Sequence, residues 1–140
     1  MKIPLHGRNH RPGSSDSLDW APFDIKIVSD QDSLSVADGQ IIIFIARDCH
    51  MLSLVEADAY ITTPSSSGLP AIQLRNVVTG HDMLSTMITI DVGEYNSYDA
   101  AVLPVIDQAY KQVTAGDRIS VDLKVAGTGA KGLGVILRFG

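Results

Sequence analysis

The chain has 140 residues, enough for one domain that buries its core without staples, and its single cysteine, Cys49, excludes an internal disulfide framework. A net charge of −5, with eleven scattered Lys and Arg residues, argues against a nucleic-acid partner and against an anionic membrane surface. Hydrophobic residues make up 45 % of the chain and charged ones only 19 %, so part of the surface is expected to be covered by a partner.

Residues 1 to 21 differ from the rest. They are rich in His, Arg, Asn, Gly, Pro, Ser and Asp and show no periodicity. Such a segment cannot bury enough apolar surface to offset its ordering entropy, so it reads as an extended N-terminal attachment arm followed by a domain over 22–140. His6, Arg8, His10, Arg11 and Trp20 are its candidate partner contacts. Trp20, the only tryptophan, is expected to anchor the arm, either in its own core, the preferred reading, or in a neighbouring subunit. The first residues carry charge but no apolar run of the signal-peptide type, and the longest apolar run, Ile41 to Ala46, is too short to span a bilayer. A soluble protein made in the cytosol is expected.

From Phe23 onward the period is two. Phe23, Ile25 and Ile27 alternate with polar neighbours, Asp30 to Asp32 is turn-like, and Ala37-Asp38-Gly39 carries a hairpin-turn signal. Gln40 to Ala46 is apolar on both faces, which implies either a central strand or one whose outer face meets a partner. Ile41, Ile43 and Ile45 are its candidate oligomer face. Leu52 to Thr62 alternates again, with Val55 and Ala57 in ambiguous register. Thr63 to Pro70 is a flexible loop by composition, and Ile72, Leu74 and Asn76 mark the next strand. Thr79 to Met83 turns, and Met87 to Val92 is a strand with Ile88 and Ile90 on one side. Only Asn96 to Gln112 departs from period two. Pro104 interrupts it, and short helical turns are expected at Ser97–Ala101 and Ile106–Tyr110.

The closing stretch organises the rest. Ile119, Val121, Leu123 and Val125 alternate, as do Leu133, Val135, Leu137 and Phe139, on either side of Gly127-Thr128-Gly129-Ala130-Lys131-Gly132. The reading is a closing hairpin. The loop matches the G-x-G-x-x-G dinucleotide fingerprint, but that motif needs a helix opening at the third glycine and an acid about 20 residues on. A strand pattern follows instead, and the sequence stops eight residues past Gly132. The fold class is therefore all-β, an antiparallel sandwich or jelly roll of about eight strands.

No catalytic set assembles from spacing. His6 and His10 lack nearby partners for zinc, and His50 and His81 fall at strand ends. Asp48-Cys49-His50 sets a thiol beside an imidazole, but strand neighbours point to opposite faces. Ser65 to Ser67 lacks a nucleophile elbow. The pairs Asp30 and Asp32, Asp91 and Glu94, and Asp117 and Asp122 lack the spacing of a calcium loop. No cofactor or metal is expected, and a non-enzymatic protein is the preferred reading over a glycan hydrolase.

Two regions resemble virion proteins of tailed bacteriophages. His6-Gly7-Arg8-Asn9-His10-Arg11-Pro12-Gly13-Ser14-Ser15-Asp16-Ser17-Leu18 is similar to the H-x-x-R-H-x-P-G-G-x-D-P-L segment that opens many phage tail-fibre and minor structural proteins. It departs from that pattern at Asn9, Ser14 and Ser17. Ala115 to Asp122 with Gly127 to Leu137 is similar to the last hairpin of jelly-roll domains in phage fibres and head decoration proteins. The resemblance implies a virion subunit, a homo-oligomer of trimeric type, fixed to the major capsid protein or another virion protein by its arm. A capsid decoration or cement protein is the leading expectation. The alternative is a tail-tip or tail-fibre module that binds receptor glycan through loop residues such as Tyr60, Tyr95, Tyr98 and Tyr110.

Overall fold

The computed structural model describes residues 23–140. The arm, including His6, Arg8, His10, Arg11 and Trp20, lies outside the described residues, as does the boundary between arm and domain.

The described chain is all-β. Its strands are β1 (Phe23–Ser33), β2 (Ala37–Phe44), β3 (Leu54–Thr63), β4 (Ala71–Asn76), β5 (His81–Asp82), β6 (Leu84–Thr86), β7 (Ile88–Thr89), β8 (Val105–Ile106), β9 (Arg118–Val125) and β10 (Lys131–Phe139). There are ten rather than about eight, because β5 to β8 are pieces of two or three residues that periodicity does not reveal. One antiparallel sheet runs β1-β10-β3, the other β2-β9-β4-β5 with β7 added to β4, and β6 pairs β8.

The inward halves of the alternating strands form a single core between the sheets. Leu133, Val135, Leu137 and Phe139 of β10 meet Ile119, Val121 and Leu123 of β9, with Leu54, Ala57, Ala59 and Ile61 of β3 and Ile72 and Leu74 of β4 closing around them. Each fully buried Leu or Ile contributes about 1.5–3 kcal/mol, so these rows hold the two layers together.

Three expectations are corrected by the pairing. β9 and β10 do not form a hairpin: β9 pairs with β2 and β4, and β10 with β1 and β3. The glycine loop carries the chain from one sheet to the other. Gly127 has φ +72°, and a side chain there would run into Ser65 and Pro70, so the loop needs glycine both to turn and to pack on the Ser65–Pro70 loop. Ala37-Asp38-Gly39 is not a turn either. It lies within β2, where Gly39 at φ +67° marks a register shift and gives its N–H to Asp122 Oδ1 at 2.7 Å. The turn falls at Leu34 to Val36, and β1 runs on through Asp30 to Asp32 with its own register shifts. Of the two readings of Gln40 to Ala46, a central strand or one whose outer face meets a partner, the first is excluded, since β2 lies at the sheet edge.

The ambiguity in β3 also resolves. Glu56 pairs with Arg138 but Leu54 pairs with Phe139, so Val55 is an extra, bulged residue. The bulge switches the strand's phase, which lets Leu54 and Ala57 both face the core. The segments Ser97–Ala101 and Ile106–Tyr110 each amount to a single turn, closed by Ala100 N–H to Ser97 carbonyl and Tyr110 N–H to Asp107 carbonyl. The helical element among the described residues is a short 3₁₀ turn at Arg47–Cys49.

Candidate functional site

The two sheets end on the same flank in edge strands, β1 in one layer and β2 in the other. Between them lies an open cleft of about 510 Å³ lined by Phe23, Asp24, Ile25, Ile43 and Phe44. Phe44 is 70 % exposed, Phe23 42 % and Ile42 41 %. Phe23 packs its other side against Phe139, with ring centres 6.3 Å apart. An apolar sheet edge with open backbone groups is a template for association, and most soluble proteins blunt such edges with charge. β1 follows that rule through Asp24, Lys26 and Asp30, whereas the Ile41 to Phe44 run of β2 does not.

Ile41, Ile43 and Ile45, the candidate oligomer face, lie on the inward side of the strand instead. Ile45 is buried in the core, and Ile41 and Ile43 pack partly against it, so the residues that β2 leaves open are Ile42 and Phe44. Period two separates these two sets, and the pairing of β2 with β9 decides which faces inward. Tyr95 and Tyr98 are both exposed, on the loop that crosses the free edge of β3. The Tyr95 carbonyl accepts from Ile61 N–H at 2.8 Å, and Ser97 N–H donates to Ala59 carbonyl at 3.0 Å, so this loop is pinned along the edge. Tyr110 stacks face to face on His81, with centres 3.9 Å apart.

Tyr60 is held on the outer face of β3. Its hydroxyl donates to Asp24 Oδ1 at 2.5 Å, and Lys26 Nζ stands 4.8 Å from its ring centre. Burial and the bond to Asp24 push the Tyr60 phenol above its usual range, while the contact with Asp30 raises Lys26. These residues tie β1 to β3 across β10.

The thiol and imidazole of Cys49 and His50 do not meet as a nucleophile and base. Cys49 is in the core, where burial pushes its pKa up and stabilises the unreactive thiol. His50 is exposed, and its Nδ1 accepts from Ala115 N–H at 3.0 Å. The serine run is not free loop. Ser65 is buried with its hydroxyl on Gly68 carbonyl at 2.7 Å, and Ser66 and Ser67 bridge to Thr128. Asp117 and Asp122 are buried in separate hydrogen-bond sets, Asp117 with Asn76 and Thr114, Asp122 with Gly39 and Ser120. Among the described residues no group of three or more His, Cys, Asp or Glu converges as a metal site, and no helix is long and apolar enough to cross a membrane.

No family model, curated protein sequence or solved structure matches the chain.

Proposed function

We propose that the protein is a non-enzymatic structural subunit of a tailed-phage virion, a decoration or cement protein that joins the particle through its N-terminal arm and the sheet edge beside it. The observation that carries this reading is the largely apolar cleft of Phe23, Asp24, Ile25, Ile43 and Phe44, which opens beside the first described residue, Phe23. An arm that orders only on a neighbour adds contact area and defers its entropy cost until assembly. The β2 edge supplies apolar surface for the same contact, and closed symmetry with two further copies buries more of it.

Three measurements test the reading. Protein counting in purified virions is expected to find hundreds of copies, as a head protein requires; a handful moves it to the tail, and absence from virions overturns the proposal. Deletion of residues 1–21 is expected to leave a folded domain that no longer attaches to particles, and full attachment of the truncated chain removes the arm from the account. Sedimentation of the full chain is expected to give three times the 15.0 kDa chain mass.

A further inference from the structure

The free edge of β3 is covered along most of its length but not all of it. Ala59 has its N–H on Ser97 Oγ and its carbonyl on Ser97 N–H, each at 3.0 Å. Five residues earlier, Leu54 N–H is taken by Lys111 carbonyl at 2.8 Å, and Ser53 bridges Gln112. Between these fixed points no bridge to the loop crosses Val55 to Asp58 among the described residues. Antiparallel alternation turns the N–H and C=O of Ala57 to the same side as those of Ala59, so they face the gap. Pro104 stands across it and has no N–H to offer. The Val55 bulge sits at the lower end of this gap, as bulges beside binding sites do.

The gap is a pocket of about 310 Å³ lined by β3 from Val55 to Asp58 and by Tyr98, Leu103, Pro104 and Ile106. This is the small end of the range for ligand sites and suits one ring rather than a chain of residues. Tyr98 is 54 % exposed, and its backbone N–H is fixed by Asn96 Oδ1 at 3.0 Å, so it is presented on a settled turn. The carboxylates of Glu56 and Asp58 flank Ala57. Arg138 Nε holds Glu56 at 3.3 Å, and Ser97 Oγ donates to Asp58 at 2.7 Å. Glu56 is thus charge-balanced, and partial burial raises the Asp58 carboxyl, with the Ser97 bond pulling the other way. What remains is acceptor capacity without a strong call for a cation. Arg138 is already paired with Glu56, which disfavours anions.

We propose that this pocket binds a single pyranose ring of a saccharide, with its C–H face on Tyr98 and its hydroxyls on Asp58 and Glu56. An aromatic ring with adjacent carboxylates matches a ligand that is apolar on its faces and rich in donors at its rim. A peptide strand fits less well, because the Ser97 and Lys111 contacts close the edge at both ends. The proposal holds whether the protein sits on a head or a tail.

The test uses the full chain and saturation-transfer NMR with glucose, galactose, mannose and N-acetylglucosamine. Transfer to ring protons of at least one of these sugars is expected, retained in Tyr98→Phe, lost in Tyr98→Ala, and weakened about tenfold in affinity in Asp58→Asn. Melting curves of the same variants establish that each is folded. Transfer to none of the four sugars, transfer unchanged in Tyr98→Ala, or preferential binding of a lysine- or arginine-bearing peptide at this pocket overturns the assignment.

Discussion

Tyr60 occupies the space that a side chain at position 134 would need. The two residues are partners in the β3–β10 register, and a Cβ built on Gly134 would overlap the Tyr60 ring. The glycine therefore lets the ring lie flat over the middle strand and reach Asp24 on the far one. Gly134→Ala is expected to destabilise the domain by about 1–3 kcal/mol through this overlap. In a denaturant series, the double variant Gly134→Ala with Tyr60→Ser is expected to cost less than the sum of its parts, because the second change removes the clash. Strict additivity would mean the ring is not what the glycine accommodates.

Asn76 and Asp117 form the second such pair, at the opposite sheet. Asn76 Nδ2 donates to Asp117 Oδ2 at 2.9 Å, and Thr114 N–H donates to the same oxygen at 2.9 Å, with both side chains buried. Asn76 Oδ1 in turn accepts from Val78 and holds the turn after β4. Asp117→Ala leaves two donors without a partner, and a loss of about 2–4 kcal/mol in chemical unfolding is expected. Asp117→Asn keeps an acceptor in place and is expected to cost clearly less than the alanine change.

The alternating residues of β9 and β10 made both strands legible, since period two in apolar positions has few other meanings. Their partners were not legible. A glycine-rich loop between two strands looks the same whether it folds them together or sends them to different sheets, and only the Ser65–Pro70 loop packed on Gly127 separates the cases. In β3 the bulge at Val55 hid the phase, because one inserted residue makes Leu54 and Ala57 appear to contradict each other. Tyr98 could be marked as an exposed loop aromatic from sequence. Its juxtaposition with Glu56 and Asp58 could not, because loop and strand meet through backbone bonds at Ala59 and Ile61 that carry no residue signature.

Asp58 makes stability depend on pH in a definite direction. In the fold, desolvation, with the negative charge of Glu56, raises its carboxyl above the ordinary value of the unfolded chain despite the Ser97 bond. The native state then holds the proton more tightly than the unfolded state. Stability falls as pH rises from the unfolded value through the folded one and stays at the lower level above it. Asp58→Asn, whose amide oxygen still accepts from Ser97, is expected to melt above the parent at pH 7, with the gap narrowing as pH drops to 3. A gap that does not change with pH would place the cost elsewhere than in the half-buried charge.

Phe44 separates folding from association. It ends an edge strand, is 70 % exposed and rims the cleft with Phe23, so the fold draws little from it. Phe44→Ser is expected to change unfolding stability by no more than about 0.5 kcal/mol, the usual range for surface positions. Its effect should appear instead in sedimentation velocity and in retention on particles, both weakened, because removing the largest open apolar group strips the edge of its contact surface. Ile45→Ser at the neighbouring buried position is expected to do the reverse, unfolding the domain before association can be measured. If Phe44→Ser sediments and attaches as the parent does, the β2 edge is not where this protein meets its partner.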